Sequence, residues 1–356
     1  MQTWQGTLTG IAAIVAIVGA GVWYANDPQM QHFSLSNLAS GSGTISPLPE
    51  FSVNHIEWSR DGRLLFSVSR GGLNAAPQLA LHDIHHKTTR LPIDTMGEWC
   101  QSAALAVDGR HVLVGTDQGR LWWIAPESSE VPVPLVELPI PTSFFSAAAV
   151  AGDGRQVCGG TNTGRIYVCD LARRTSITLT ASQKSSVVDV RFSNDHRRLV
   201  CAQNNGHISL WELSNGELSQ EFADCAGSCR GAAFLSDGER LVSAGLDDAV
   251  RIWDIAGGRE LWRGEFGLLG VMALDVSADG LSAAWGGCNR KIVVWDLERG
   301  RKKLDIATPA SVVFHLRFSP DGLLLAAAGS DGTIRLYDTL TGAEHDVIEM
   351  DASHGS

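Results

Sequence analysis

From residue 50 onward the chain is written in short runs where apolar and polar residues alternate with a period of two, broken by turns rich in Gly, Asp and Asn. "VVFHLRF" (Val312 to Phe318), "LLLAAAG" (Leu323 to Gly329) and "TIRLYD" (Thr333 to Asp338) are three consecutive examples, and "GRELWRGEF" (Gly258 to Phe266) typifies a more polar run that follows such triplets. The period and the β-branched content predict strands, and no segment after residue 50 reads as a helix. One turn recurs as "SRDG", "AVDG", "AGDG", "SNDH", "LSDG", "SADG" and "SPDG". Its aspartates, Asp61, Asp108, Asp153, Asp195, Asp237, Asp279 and Asp321, are spaced by 47, 45, 42, 42, 42 and 42 residues. Sixteen residues after each of the last four aspartates stand Trp211, Trp253, Trp295 and Tyr337, each followed by an acid. The first unit carries five extra residues around "GGLNAAPQ" and recovers the pattern at "LALHD", which ends on Asp83.

A four-stranded sheet repeated every 42 residues cannot bury both faces alone and must stack on its neighbours around an axis. Seven units close a ring, which also limits exposed strand edges. The expected fold is therefore all-β: a seven-bladed β-propeller of four-stranded antiparallel blades over residues 51–350. The run "GAEHDVIEM" (Gly342 to Met350) is expected to supply the last strand of the last blade, with "FSLSNLA" (Phe33 to Ala39) or "GTISPLP" (Gly43 to Pro49) as competitors.

On these residues the chain resembles the WD-repeat propellers: "SPDGLLLAAAGSDGTIRLYD" (Ser319 to Asp338), "AGLDDAVRIWD" (Ala244 to Asp254), "KIVVWD" (Lys291 to Asp296) and "HISLWE" (His207 to Glu212) carry the likeness. It is strong in the last four units, fair in the third and weak in the first two. The resemblance implies a non-enzymatic platform for protein partners, with no cofactor. It also implies a Gly-His about twelve residues before the turn aspartate, linked by hydrogen bonds to an Asp, a Ser/Thr and the Trp. Here those positions hold Pro49, Met96, Pro141, Gln183, Cys225, Gly267 and Pro309. Asp247 and Asp331 keep the acid, while Asn205 and Asn289 replace it. The member is divergent, and the relay is expected to be absent from every blade.

The N-terminus has a different pattern. "LTGIAAIVAIVGAGVWYA" (Leu8 to Ala25) holds no charge, with Trp4 before it and Trp23 and Tyr24 at its end. Eighteen helical residues span about 27 Å, close to the roughly 30 Å hydrocarbon core of a bilayer, and the aromatics stand where interfacial anchors belong. The propeller needs no extra core helix, and no Lys or Arg precedes Arg60, so a retained transmembrane helix is favoured over a cleaved signal. The expected organisation is a tail (1–7), a transmembrane helix (8–25), a Ser/Gly/Pro tether (26–50), the propeller (51–350) and a tail (351–356). Gly6, Gly10, Ala12, Ala16 and Ala20 recur at small-xxx-small spacing suited to packing on a partner helix. The expected setting is single-pass in a membrane, touching lipid through residues 8–25, with other, membrane-embedded protein subunits as partners. Unpaired strand cysteines lean the propeller toward the cytoplasm over the periplasm.

Charge and chemistry narrow the function. A formal charge of −11 lacks the basic footprint of nucleic-acid binding. No nucleophile elbow, phosphate loop or zincin motif occurs. The cluster "HDIHH" (His82, Asp83, His85, His86) reads as a strand end and turn more readily than a metal site. Cys225 and Cys229 form a weak C-x₃-C signal, and Cys229 shares with Cys100 a position eight residues before the turn aspartate, where other units place Val or Phe. A channel-centred hydrolase or lyase is the competing class, with His55, Asp189 and His315 on inner strands as its candidates. The favoured site is an interaction face: Trp99 and Phe144 on adjacent blades, rimmed by Asp117, Asn162, Asn204, Asp247, Asp248, Arg290 and Asp331. Trp285 occupies a position that is otherwise small or Val and must displace something or fill a gap.

Overall fold

The computed structural model describes residues 51–350 except 72–77, 91–92, 94–96, 127–131, 133, 139–142, 182, 224–226 and 268–269. The expected tail, membrane helix and tether (1–50), with Gly6, Gly10, Ala12, Ala16 and Ala20, and the tail 351–356 lie outside the described residues. Among the described residues no helix is long and apolar enough to cross a membrane.

Among the described residues twenty-eight strands form seven sheets of four, each a sequential antiparallel meander. The first strands are β1 (Phe51–Trp58), β5 (Cys100–Leu105), β9 (Phe145–Val150), β13 (Val187–Phe192), β17 (Cys229–Phe234), β21 (Val271–Val276) and β25 (Val313–Phe318). Each packs on the next, and β25 packs on β1, so the first strands make a closed ring around a central channel. The closing strand is β28 (Glu344–Glu349), paired with β27 (Thr333–Asp338); the C-terminal run thus takes the place for which the N-terminal runs competed.

The recurrent turn is explained by its side chains. Ser59, Ser193, Ser277 and Ser319 donate their hydroxyls to Asp61, Asp195, Asp279 and Asp321 at 2.5 to 2.6 Å. The same serines accept the amides of Leu64, Arg198, Ser282 and Leu324. The hydroxyl bond is the main reason these aspartates are more acidic than usual. In the second and third blades Ala106 and Ala151 replace the serine. There Asp108 takes the ring of His111 at 2.6 Å, and Asp153 accepts the Arg155 amide at 2.9 Å.

Blades lock together through one repeated contact. The residue eight before each turn aspartate is almost fully buried: Val53, Cys100, Phe145, Val187, Cys229, Val271 and Val313. A register shift beside it interrupts pairing of the first and second strands in every blade, a bulge that re-aims the side chain. It meets the residue seven after the preceding blade's aspartate, which is Gly115, Gly160, Ala202, Ala244, Gly286, Ala328 or Val68. A Cβ on Gly115 would stand 2.5 Å from Phe145 Cβ, and one on Gly160 only 2.3 Å from a Val187 methyl. A Cβ on Gly286 would stand 3.0 Å from Val313 Cβ, and Val68 with Cys100, Ala202 with Cys229, Ala244 with Val271 and Ala328 with Val53 share clusters at the remaining four junctions. Sizes compensate: the largest knob faces glycine, and the largest socket faces cysteine.

Trp285 fills a gap between the fifth and sixth blades. It is buried against Phe266 at 4.8 Å and Trp295 at 5.8 Å, with Trp262 beside both. Room for this nest comes partly from Gly264, where a Cβ would strike the Trp262 ring at 2.5 Å.

Gly160→Ala is expected to destabilise the propeller by about 1–3 kcal/mol through overpacking. Val187→Ala in the same chain should recover part of that loss, giving a non-zero coupling in a denaturation double-mutant cycle. Purely additive effects would show that the two positions do not act as knob and socket.

Candidate functional site

In a meander the turn between second and third strands and the entry to the first strand lie at the same end, so the predicted site residues share one face of the ring. There the structure pairs them. Asp117 accepts the Trp99 amide through Oδ1 at 2.9 Å, and its own amide donates to the Trp99 carbonyl at 2.9 Å. Asn162 and Phe144 repeat the exchange at 3.0 and 3.1 Å. Asn204 accepts the Ser228 hydroxyl at 2.7 Å, joining the fourth blade to the fifth. Trp99 is 42% exposed, against a half-buried Phe144 and a fully buried Phe145. Asp117 and Asn162 are therefore turn clamps that fix the backbone of the aromatics.

Asp247 and Asp331 are held differently. Arg251, on β19 (Ala249–Asp254), is fully buried, pairs with Asp247 and lies 3.2 Å from Glu260. In the last blade Arg335 pairs with Asp331 at 3.3 Å and Glu344 at 2.8 Å. Both Asp–Arg–Glu sets fall at the same three repeat positions. An arginine from the third strand thus takes the acid that lacks the histidine. Without the histidine the full relay is not formed in this blade, but its outer link is: Trp253 Nε1 donates to Ser243 Oγ at 2.8 Å. In the second blade buried Glu98 accepts Trp122 Nε1 at 3.1 Å and pairs with Arg120.

Asp248 and Arg290 adopt φ of 63° and 62°, at the turn position filled elsewhere by Gly119, Gly164, Gly206 and Gly332. Left-handed backbone is unfavourable for residues with a Cβ, so adjacent fifth and sixth blades each retain a charged side chain at a cost glycine would avoid. Arg290 is exposed.

The channel holds a second group. His55, Asp189 and His315 lie on inner strands as expected, but the residues two further on, Glu57, Arg191 and Arg317, and Asp275 at the same repeat position of the sixth blade, were missed. Period-two alternation was the signal that would have found them. Arg191 donates through Nε to Asp189 at 3.0 Å and reaches past the fifth blade to Asp275 at 2.8 Å and the Leu274 carbonyl at 2.8 Å. Gly231 and Ala233 of the fifth blade occupy the positions matching Asp189 and Arg191, and their small size leaves the path open. Burial disfavours the Arg191 cation, but Asp189 and Asp275 outweigh it and raise its pKa. Asp275 also accepts the Phe318 amide at 2.8 Å and lies 3.5 Å from Arg317. These carboxylates are engaged in ties between blades.

His82 is buried, 2.7 Å from Ser67 Oγ and 3.0 Å from Thr89 Oγ1, and burial pushes its pKa down to about 4. Asp83 instead accepts the His86 amide and ring and the Arg63 guanidinium, which hold it well below the usual carboxylate range. "HDIHH" is thus divided between a buried strand position and a turn. Among the described residues no three His, Cys, Asp or Glu side chains gather as metal ligands. Cys158, Cys169 and Cys201 are buried free thiols, and Cys100 and Cys229 are buried as well; Cys225 lies outside the described residues.

Fold and sites together define a seven-bladed propeller whose blades are keyed by packing and buried ion pairs. Residues 174–212, 216–254 and 304–338 match the family model of the WD domain, G-beta repeat. No curated protein matches the chain. A propeller carrying such repeats suggests a scaffold for protein–protein interaction.

Two outcomes follow. Removing Arg251 as Arg251→Ala should cost about 3–5 kcal/mol, since Asp247 and Glu260 lose a buried cation; equilibrium denaturation measures it. For His82 the folded pKa of about 4 lies below the unfolded value of roughly 6.5. Its contribution is complete above pH 6.5 and falls as pH drops toward 4, by about 3 kcal/mol in all. His82→Gln should flatten that part of the stability–pH curve.

Proposed function

We propose that this protein is a membrane-anchored scaffold, an accessory subunit that holds protein partners on the face bearing Trp99. The observation that carries the reading is the exposure of Trp99 on a backbone fixed by Asp117. A large aromatic held rigid loses little conformational freedom on binding, which is how interface hot spots are built. Arg290 and Asp248 supply charge on the same face, from turns that retain them despite backbone strain.

The apolar run Leu8 to Ala25 and the tether to residue 50 support anchoring. Tethering raises the effective concentration of the face for partners in the same membrane. Ala16 and Ala20, with Gly6, Gly10 and Ala12, offer a close-packing ridge to a partner helix. Free buried thiols in several blades suit a reducing compartment and a cytoplasmic propeller.

The test is affinity purification of the full chain from native membranes in mild detergent. Partner subunits should co-purify. Trp99→Ala should lower their recovery about tenfold or more without changing thermal stability, and Ala16→Leu with Ala20→Leu should weaken assembly while the protein stays in the membrane pellet. A protein that purifies alone and monomeric would refute the scaffold, and one released from membranes by alkaline carbonate would refute the anchor.

A further inference from the structure

Six of the seven blade junctions are bridged by the chain itself. The junction of first and last blades has no covalent link, because the two ends of the ring meet there. It is held by the Val53–Ala328 contact and its apolar neighbours, by Trp58 Nε1 donating to the Arg317 carbonyl at 3.2 Å, and by Lys87 pairing with Asp346 at 2.8 Å. At its inner end two imidazoles meet: the rings of His55 and His315 are 4.3 Å apart, and the Ile56 amide donates across the junction to His315 Nδ1 at 3.4 Å.

We propose that this junction is an acid-sensitive latch, in which proton uptake at His315 releases the first blade from the last and opens the ring. The geometry gives the mechanism. To accept the Ile56 amide, Nδ1 must carry its lone pair, so the proton of neutral His315 sits on Nε2. A second proton on Nδ1 turns the acceptor into a donor that faces another donor. It also places a cation beside Arg317 on the same strand and near Arg191 from β13. The groups around it are His55 and Glu57 from β1, Asp275 from β21, and Asp189 beyond Arg191; β26 (Leu324–Gly329) has no titratable side chain. Of the acids, Asp189 and Asp275 are engaged by Arg191, and Glu57 lies 3.6 Å from His55 Nε2. Burial, then Arg317, hold the closed-state imidazole neutral well below its usual pKa. An opened, solvated His315 would titrate near the ordinary value of about 6.5. The sign follows: the closed state is favoured above pH 6.5 and loses ground as pH falls below it. With no proton on the closed state, the open fraction rises about tenfold between pH 7.5 and 5.5.

The test is amide hydrogen exchange on the full chain at pH 7.5 and 5.5, with rates corrected for the intrinsic pH dependence. Opening of Phe51–Trp58 and Val313–Phe318 should increase about tenfold at the lower pH relative to Phe145–Val150 and Val187–Phe192. His315→Asn keeps an acceptor near Nδ1 but cannot titrate, and should abolish the step. His82→Gln, which removes a buried histidine of the first blade outside the imidazole pair, should leave it. Equal loss of protection in all blades, no selective change in the wild type, or an unchanged step in His315→Asn would overturn the latch. Should His315→Asn fail to fold, the wild-type comparison between junction and interior strands decides alone.

Discussion

The ring depends on a volume match repeated seven times. Each bulged first strand drives one side chain into the second strand of the preceding blade, and the two volumes trade against each other: Phe145 on Gly115, Val187 on Gly160, Cys100 on Val68. Propeller blades share no backbone ladder, so their junctions have only side-chain packing and scattered polar ties to hold them. Interiors packed at crystal-like density tolerate little mismatch. A single misfitted junction would alter the spacing of its neighbours, because closure leaves no free end to absorb the error.

Polar groups supplement the packing where the usual histidine relay is missing. An arginine on the third strand, fully buried in the fifth blade and partly buried in the last, satisfies the turn acid, and a fourth-strand glutamate supplies a second acid. In the channel Arg191 crosses from fourth blade to sixth, and Asp275 extends the tie to the Phe318 amide in the seventh. Buried ion pairs contribute less net stability than their Coulomb energy suggests, but losing one member is expensive. Their effect is to fix which blade faces which, at junctions where apolar packing alone leaves small residues such as Gly231 and Ala233 on the channel wall.

The blade count and the four-strand unit were legible in the sequence, because the turn aspartates and the period-two runs are local signals; the closing strand was not settled there, since runs near both ends of the ring had strand-like patterns. The buried roles of Cys100 and Cys229 followed from their repeat position. What local reading missed was non-local. Nothing near Asp247 announces Arg251 as its partner until the repeat positions are compared between the fifth and last blades. Arg191 is an unremarkable charged strand residue until the small side chains of the next blade reveal its path. The bulges left no sequence mark either, since they arise from the need to aim a knob between blades. On the face, alignment correctly brought Trp99, Phe144, Asp117 and Asn162 to one end of the ring. It did not reveal that the last two exchange backbone hydrogen bonds with the first two.

That exchange makes framework of side chains that stand at the solvent-facing end of the ring. Asp117, Asn162, Asn204, Asp247 and Asp331 each have a structural bond that explains their side chain. Trp99 has its backbone so explained but not its exposed ring, and Arg290 has a backbone conformation that glycine would adopt more easily. Leu281, Leu323 and Leu340 are more exposed than Trp99, at 51, 57 and 68%, so exposure alone does not set the indole apart. What does is the pairing of an exposed ring with a backbone that Asp117 holds from both sides. The keyed blades in turn hold these turns at fixed separations around the ring.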